Sequence, residues 1–224
     1  MATREALFDV MEQIAEERIA ARPIVEELLS RGDEVWDEEI PDSWRTAGFV
    51  QELTAAGAAI LETDPSRCLN FTQLALAVAS SIPSETYPSP VQAFIEGRAW
   101  KEIAVTHRYQ SSYEAATRAY ATAHRAFAQE SALVHEQMRA QFGHATVSVA
   151  TAKYEHATEL LERLAEVFHE YGDERYIIYG QITRAAISYY RGDFQRAATK
   201  HLELIPKLEE VAPEDLFTLA LLYG

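Results

Sequence analysis

Residues 192–204, "GDFQRAATKHLEL", decide how the chain folds, because their pattern occurs twice more upstream. "AKYEHATELLERL" stands at 152–164 and "SSYEAATRAYATA" at 111–123. In each, an aromatic residue (Phe194, Tyr154, Tyr113) is followed three positions later by alanine (Ala197, Ala157, Ala116). A small residue precedes each aromatic by nine positions (Ala185, Ala145, Ala104), and the aromatics lie 41 and 40 residues apart. Self-similarity at such a period marks a repeat architecture. The unit reads as two helices joined by a tight turn. Small side chains let the paired helices approach, and the aromatics are expected to fill the wedge between them. A lone hairpin cannot bury its apolar face, so successive hairpins should stack side by side. The expected fold is an all-α solenoid of stacked antiparallel helix hairpins.

The same register disposes of an apparent signal. Arg191-Gly192-Asp193 spells a cell-adhesion tripeptide, but it falls between the two helices of a repeat. There Gly192 supplies backbone freedom at the end of the first helix, and Asp193 caps the second.

"WKEIAVTHRYQSSYEAATRAYATA" (100–123) resembles a tetratricopeptide repeat (TPR), with Trp100, Ile103, Ala104, Tyr113, Ala116, Tyr120 and Ala123 at the family's positions. His107 replaces the usual tyrosine and Ser111 the turn glycine; Gln141 and Gln181 stand where the later units would carry tryptophan. A period near 40 exceeds the usual TPR length of about 34 residues, as in TPR proteins similar to kinesin light chains or to bacterial peptide-sensing regulators. The resemblance covers residues 90–224 well. An earlier pair, within 42–89, fits more loosely, with Asp64 as N-cap, Pro65 at the first helical position and Cys68 in the small-residue slot. Residues 1–41 are expected to form an N-terminal helix, either a cap for the solenoid or a partner-binding helix, followed by an acidic segment.

The resemblance implies that the first helices of successive repeats line a groove. Mapped onto this chain, the groove positions are Arg98, Lys101, Arg108 and Tyr109, then Arg139 and Phe142, then Tyr179 and Tyr189. The three helices concerned carry six bases (Arg98, Lys101, Arg108, Arg139, Arg175, Arg184) against three acids (Glu102, Glu136, Glu174). Surplus bases on an acidic protein suit an acidic peptide or a C-terminal carboxylate, with tyrosines giving apolar contact; pairing with nearby carboxylates is the competing reading. The asparagines of the chaperone-type carboxylate clamp are missing.

The chain's net charge of −15 excludes sequence-independent binding to nucleic acid or an anionic membrane, which needs clustered positive charge. Of that charge, −11 falls in residues 1–64. It peaks in "GDEVWDEEIPDSW" (32–44), either a solvated segment or a docking patch for a basic partner. The lone Cys68, the missing signal-peptide pattern and the lack of a membrane-length apolar run lead us to expect a cytoplasmic protein.

Residues 3–31 read as helical, with Thr3 as cap and Pro23 separating "IVEELLS" from the rest. The loop 81–90 is a break, with Ser89 as cap for the next helix. "APEDLFTLALLYG" (212–224) opens another helix at Pro213 and carries Leu216, Phe217, Leu219, Ala220, Leu221, Leu222 and Tyr223. These are expected to leave an unfinished apolar surface, so that the chain stacks on something else, self-associates or continues into an effector domain. No catalytic, metal-binding or phosphate-cradling pattern is present, and neither enzyme activity nor a cofactor is expected. The expected function is a protein-interaction scaffold, the regulatory part of a larger bacterial protein. Its rivals are a sensor for a small molecule or signalling peptide and an assembly segment of a larger effector.

Overall fold

The computed structural model describes residues 4–31 and 39–215, together with 218, 219 and 222. Among these the fold is all-α. Its helices are α1 (Arg4–Ser30), α2 (Ala47–Ile60), α3 (Pro65–Ser81), α4 (Ser89–Tyr109), α5 (Tyr113–Phe127), α6 (Val134–Ala150), α7 (Tyr154–Tyr171), α8 (Glu174–Tyr190) and α9 (Phe194–Val211). Within the two units described next, α1–α2, α2–α3, α3–α4 and α4–α5, and again α7–α8 and α8–α9, pack as consecutive pairs, as a solenoid of hairpins requires. The chain divides into two compact units, residues 1–137 and 138–224, with the division inside α6. Residues 32–38, the larger part of the acidic stretch, lie outside the described residues, as do Thr3, Leu216, Phe217, Ala220, Leu221 and Tyr223.

The three repeats close with one backbone device. Ser111, Ala152 and Gly192 have φ of 58°, 58° and 86°, all left-handed. Each donates its N–H to the carbonyl three residues back (Arg108, Val149, Tyr189). The next residue donates to the carbonyl five back (His107, Ser148, Ser188). This double closure satisfies the last carbonyls of the first helix and reverses the chain. The second helix of the last repeat is capped as expected: Asp193 accepts from Arg196 N–H at 3.2 Å. The repeat alanines are buried: Ala104, Ala116, Ala145 and Ala157 are fully enclosed, and Ala185 and Ala197 nearly so. The aromatics behave differently. Tyr113 and Tyr154 are only half-buried and Phe194 is 59% exposed. They sit one residue after the caps, at the hairpin ends rather than in the wedge, which the alanines already close.

In the first unit, α1 to α4 share one core of Ala21, Val25, Trp44, Phe49, Val50, Leu53, Phe71, Val78, Tyr87 and Ile95. Trp44 stacks on Phe49 with ring centroids 4.6 Å apart. Asp64 caps α3, accepting from Arg67 N–H at 3.0 Å. Cys68 is buried, its thiol 3.1 Å from the Thr106 hydroxyl and pushed above its usual pKa by burial. α1 runs unbroken through Pro23, because Ala21 and Val25 on either side are held in the core; packing outweighs the lost backbone bond. Ser89 is the first helical residue rather than the cap, which falls on Pro88. α1 and α2 approach so closely at Gly48 that a Cβ there would lie 2.4 Å from Glu17 Cβ. Glu17 Oε2 in turn accepts from Gly48 N–H at 3.0 Å, and its Oε1 accepts from the Tyr87 hydroxyl at 2.6 Å. That places a carboxylate at the positive end of α2.

In the second unit, one core (Ala145, Val149, Ala157, Leu160, Leu161, Ile187) joins α6, α7 and α8. A second (Ile178, Leu204, Ile205, Leu208, Ala212) joins α8 to α9 and includes Leu219 and Leu222. Those two leucines are 8% and 6% exposed. At these positions the C-terminal segment therefore covers its own unit instead of offering an open apolar surface. Pro213 lies in a turn, and Asp215 accepts from Thr218 N–H at 3.1 Å.

Candidate functional site

α4 carries four of the expected groove residues. At 100° per residue, Arg98, Lys101, Arg108 and Tyr109 fall within an arc of about 100°. All four are half-buried, while Ile95, Gly97, Ala99, Ile103, Ala104 and Thr106 turn inward. Lys101 Nζ lies 3.2 Å from Glu102 Oε1. Arg108 covers the Tyr109 ring, with the guanidinium carbon 5.0 Å from the centroid. Arg108 also faces the buried Tyr120 hydroxyl; burial pushes that phenol up to about 12, and Arg108 pulls the other way. Neither Arg98 nor Arg108 has a carboxylate partner among the described residues. In both, the buried Nε has no acceptor.

In the second unit the structure brings Arg139, Phe142 and Tyr179 together and leaves Tyr189 apart. Arg139 donates to Asp173 Oδ2 at 2.8 Å and lies over the Tyr176 ring. Phe142 meets Tyr176 edge-on at 5.3 Å, with Tyr179 at 6.4 Å and Phe168 at 6.5 Å. The Tyr179 hydroxyl donates to Asp215 Oδ2 at 2.5 Å. These side chains are thus occupied with the packing of α6, α7 and α8. Beside them lies a cleft of about 180 Å³ bounded by Phe142, Phe168, Tyr176 and Arg184. Tyr189 is 54% exposed and meets Phe194 edge-on at 5.1 Å near the last turn.

Arg175 pairs with Glu214, and Arg184 with Glu162 at 3.4 Å. Four of the six bases therefore have intramolecular partners, and three of those partners (Asp173, Glu162, Glu214) lie outside the helices whose charges were counted. Counting charge helix by helix could not register them, because they stand on a cap, a second helix and a turn. Sequence reasoning also missed a polar groove of about 750 Å³ between α8 and α9, bounded by Arg184, Asp193, Arg196, Lys200 and Glu203. Among the described residues, no three His, Cys, Asp or Glu side chains converge as a metal site would require. Nor is any described helix long and apolar enough to cross a membrane.

The sequence matches no protein-family model and no curated protein. Among solved structures the chain is similar to the crystal structure of BtubC (BKLC) from P. vanneervenii. The TM-score is 0.58, with 16% identity over 96% of this chain and 83% of that one. At that identity the likeness concerns the fold alone.

Proposed function

We propose that the chain is a protein-interaction scaffold of TPR type that holds an acidic segment of a peptide or protein along α4. The observation that carries this reading is the asymmetry among the bases. Lys101, Arg139, Arg175 and Arg184 are neutralised within the chain. Arg98 and Arg108 share one stripe of α4 and have no carboxylate partner among the described residues; their buried Nε atoms lack an acceptor, but so do those of Arg139 and Arg175, and the difference lies in the missing carboxylate alone. A carboxylate supplied by a partner would meet these two guanidinium groups with charge-assisted bonds. Tyr109 beside them offers an apolar surface for the partner's backbone and side chains. Arg98 and Arg108, ten residues apart, are separated by about 15 Å along the helix, so a segment bearing two separated carboxylates fits both.

The test is selection of random peptides on the immobilised chain, with Arg98→Glu as the counter-selection. Asp- and Glu-rich peptides are expected on the unaltered protein and not on the variant. Indistinguishable peptide sets would reject the site. Arg98→Glu is cleaner than a change at Arg108, which also engages Tyr109 and Tyr120. The proposed setting is cytoplasmic, and the proposed role is the regulatory part of a larger bacterial protein. A sensor would use the same stripe for a smaller anionic ligand. Assembly through the C-terminal segment is less favoured, since Leu219 and Leu222 are buried in their own unit.

A further inference from the structure

The α4 stripe holds a third base, and it differs from the other two. Lys101 stands between Arg98 and Arg108 on the same face, about 4.5 Å along the helix from the first and about 10.5 Å from the second. Its Nζ lies 3.2 Å from Glu102 Oε1. The two side chains are only 20% and 16% exposed, so water screens this pair less than it would an open surface pair. Glu102 is also one turn from Arg98, but its carboxylate closes on Lys101. The other acid of α4, Glu96, is exposed and lies about 160° around the helix from Arg98.

The buried Tyr120 hydroxyl registers how these charges converge. Burial raises that phenol most; Arg108 lowers it, Glu102 raises it and Lys101 lowers it again. All three charges thus lie within electrostatic reach of one buried point beneath the stripe. From Arg98 to Arg108 the stripe reads positive, neutral, positive. A carboxylate over its centre meets Lys101 and Glu102 together. Attraction by one is opposed by repulsion from the other, and the hydration it loses is not replaced. An extended segment rises about 3.3 Å per residue, so acids four or five residues apart match the two end bases. An acid next to the first one falls on the neutral centre instead.

We propose, resting on the acidic-segment reading above, that Glu102 is the specificity-determining residue of the stripe. By neutralising Lys101 it selects segments whose two carboxylates stand four residues apart with uncharged residues between them, and it rejects segments with adjacent carboxylates. Glu102 therefore acts against the wrong partner, as specificity commonly requires.

The test titrates the isotope-labelled full chain with two peptides of identical composition and follows its backbone amide shifts. Each peptide has two glutamates in an uncharged background, four residues apart in one and adjacent in the other. The spaced peptide is expected to bind the unaltered chain at least about tenfold tighter than the adjacent one. Glu102→Gln should narrow that ratio to about twofold. Lys101→Met together with Glu102→Gln makes the centre uncharged again and should restore it. The ratio, unlike either affinity, does not respond to a general change in net charge. Glutamine is nearly isosteric with glutamate, and far-UV circular dichroism checks that the fold is kept. Equal binding of the two peptides by the unaltered chain, a preference that survives Glu102→Gln, or one that the double variant does not restore would overturn the role of Glu102. The acidic-segment reading would still stand in those cases if Arg98→Glu abolishes binding. Peptides that leave the α4 amides unshifted, or that bind Arg98→Glu as tightly as the unaltered chain, would end both.

Discussion

Ser111 and Gly192 end the first helices of different repeats through the same left-handed turn, with φ of 58° and 86° and the same pair of backbone bonds. Ala152 repeats the arrangement between them in the chain. The turn is therefore a property of the repeat rather than of glycine, and two of the three repeats hold it under strain. A left-handed L-residue costs about 1–2 kcal/mol, of which glycine's greater freedom when unfolded takes back a part.

Ser111→Gly and Ala152→Gly should each stabilise the protein by about 0.5–1 kcal/mol, and Gly192→Ala should cost about 1 kcal/mol. A Cβ at Gly192 would meet nothing within 4 Å, so the cost there is backbone strain alone. Urea unfolding midpoints measure all three.

Gly97 carries a different load. A Cβ at that position would lie 2.5 Å from Cε1 of Phe127, a fully buried ring. Gly97→Ala should destabilise by about 1–3 kcal/mol through overpacking. Adding Phe127→Leu should recover part of the loss, a non-additivity that a double-mutant cycle detects.

Much of the fold was legible in the sequence because it rests on local chemistry at a fixed spacing. Ala104, Ala145 and Ala185 mark close helix contacts, and Asp64 and Asp193 mark caps. What was not legible depends on the third dimension. Pro23 reads as a break, but burial of Ala21 and Val25 carries the helix through it. Leu219 and Leu222 read as an open edge, but α8 and α9 cover them. At the candidate site, bases could be placed on helix faces, whereas their partners could not. Arg139 meets Asp173 and Arg175 meets Glu214 across separations of 34 and 39 residues, which helix periodicity does not reach.

Asp173 and Asp193 cap successive helices, yet they should respond differently to alanine. Asp173 accepts from Tyr176 N–H and also from Arg139, and its side chain is 9% exposed. Among the described residues, Asp193 accepts one side-chain bond, the cap bond from Arg196 N–H in an exposed turn. Asp193→Ala should cost about 1 kcal/mol and Asp173→Ala about 2–4, because the second also strands a half-buried guanidinium. Chemical denaturation of the two variants side by side decides the order.

The Tyr179–Asp215 bond should be visible in the pH dependence of stability. Burial acts most strongly on Asp215 and would raise its carboxyl. The bonds from the Tyr179 hydroxyl and Thr218 nevertheless hold it, on balance, below its usual value of 3.8. Burial, then Asp215, raise the Tyr179 phenol above its usual 10.0. A depressed carboxyl stabilises fully above its ordinary range and loses that effect as pH falls through the folded value; a raised phenol stabilises below its ordinary range and loses the effect as pH rises through its own. Tyr179→Phe should therefore cost about 1–2 kcal/mol at pH 7. The difference from the unaltered protein should shrink as pH falls below 3.8, read by urea unfolding at the two pH values.

The most direct measurement is the anisotropy of a selected acidic peptide titrated with the unaltered chain and with Arg98→Glu, at low and at physiological salt. Affinity should fall with salt for the unaltered chain, as expected of paired charges, and should drop at least about tenfold in the variant. Equal affinity for both proteins, with the helical signal unchanged, would contradict recognition by the α4 stripe.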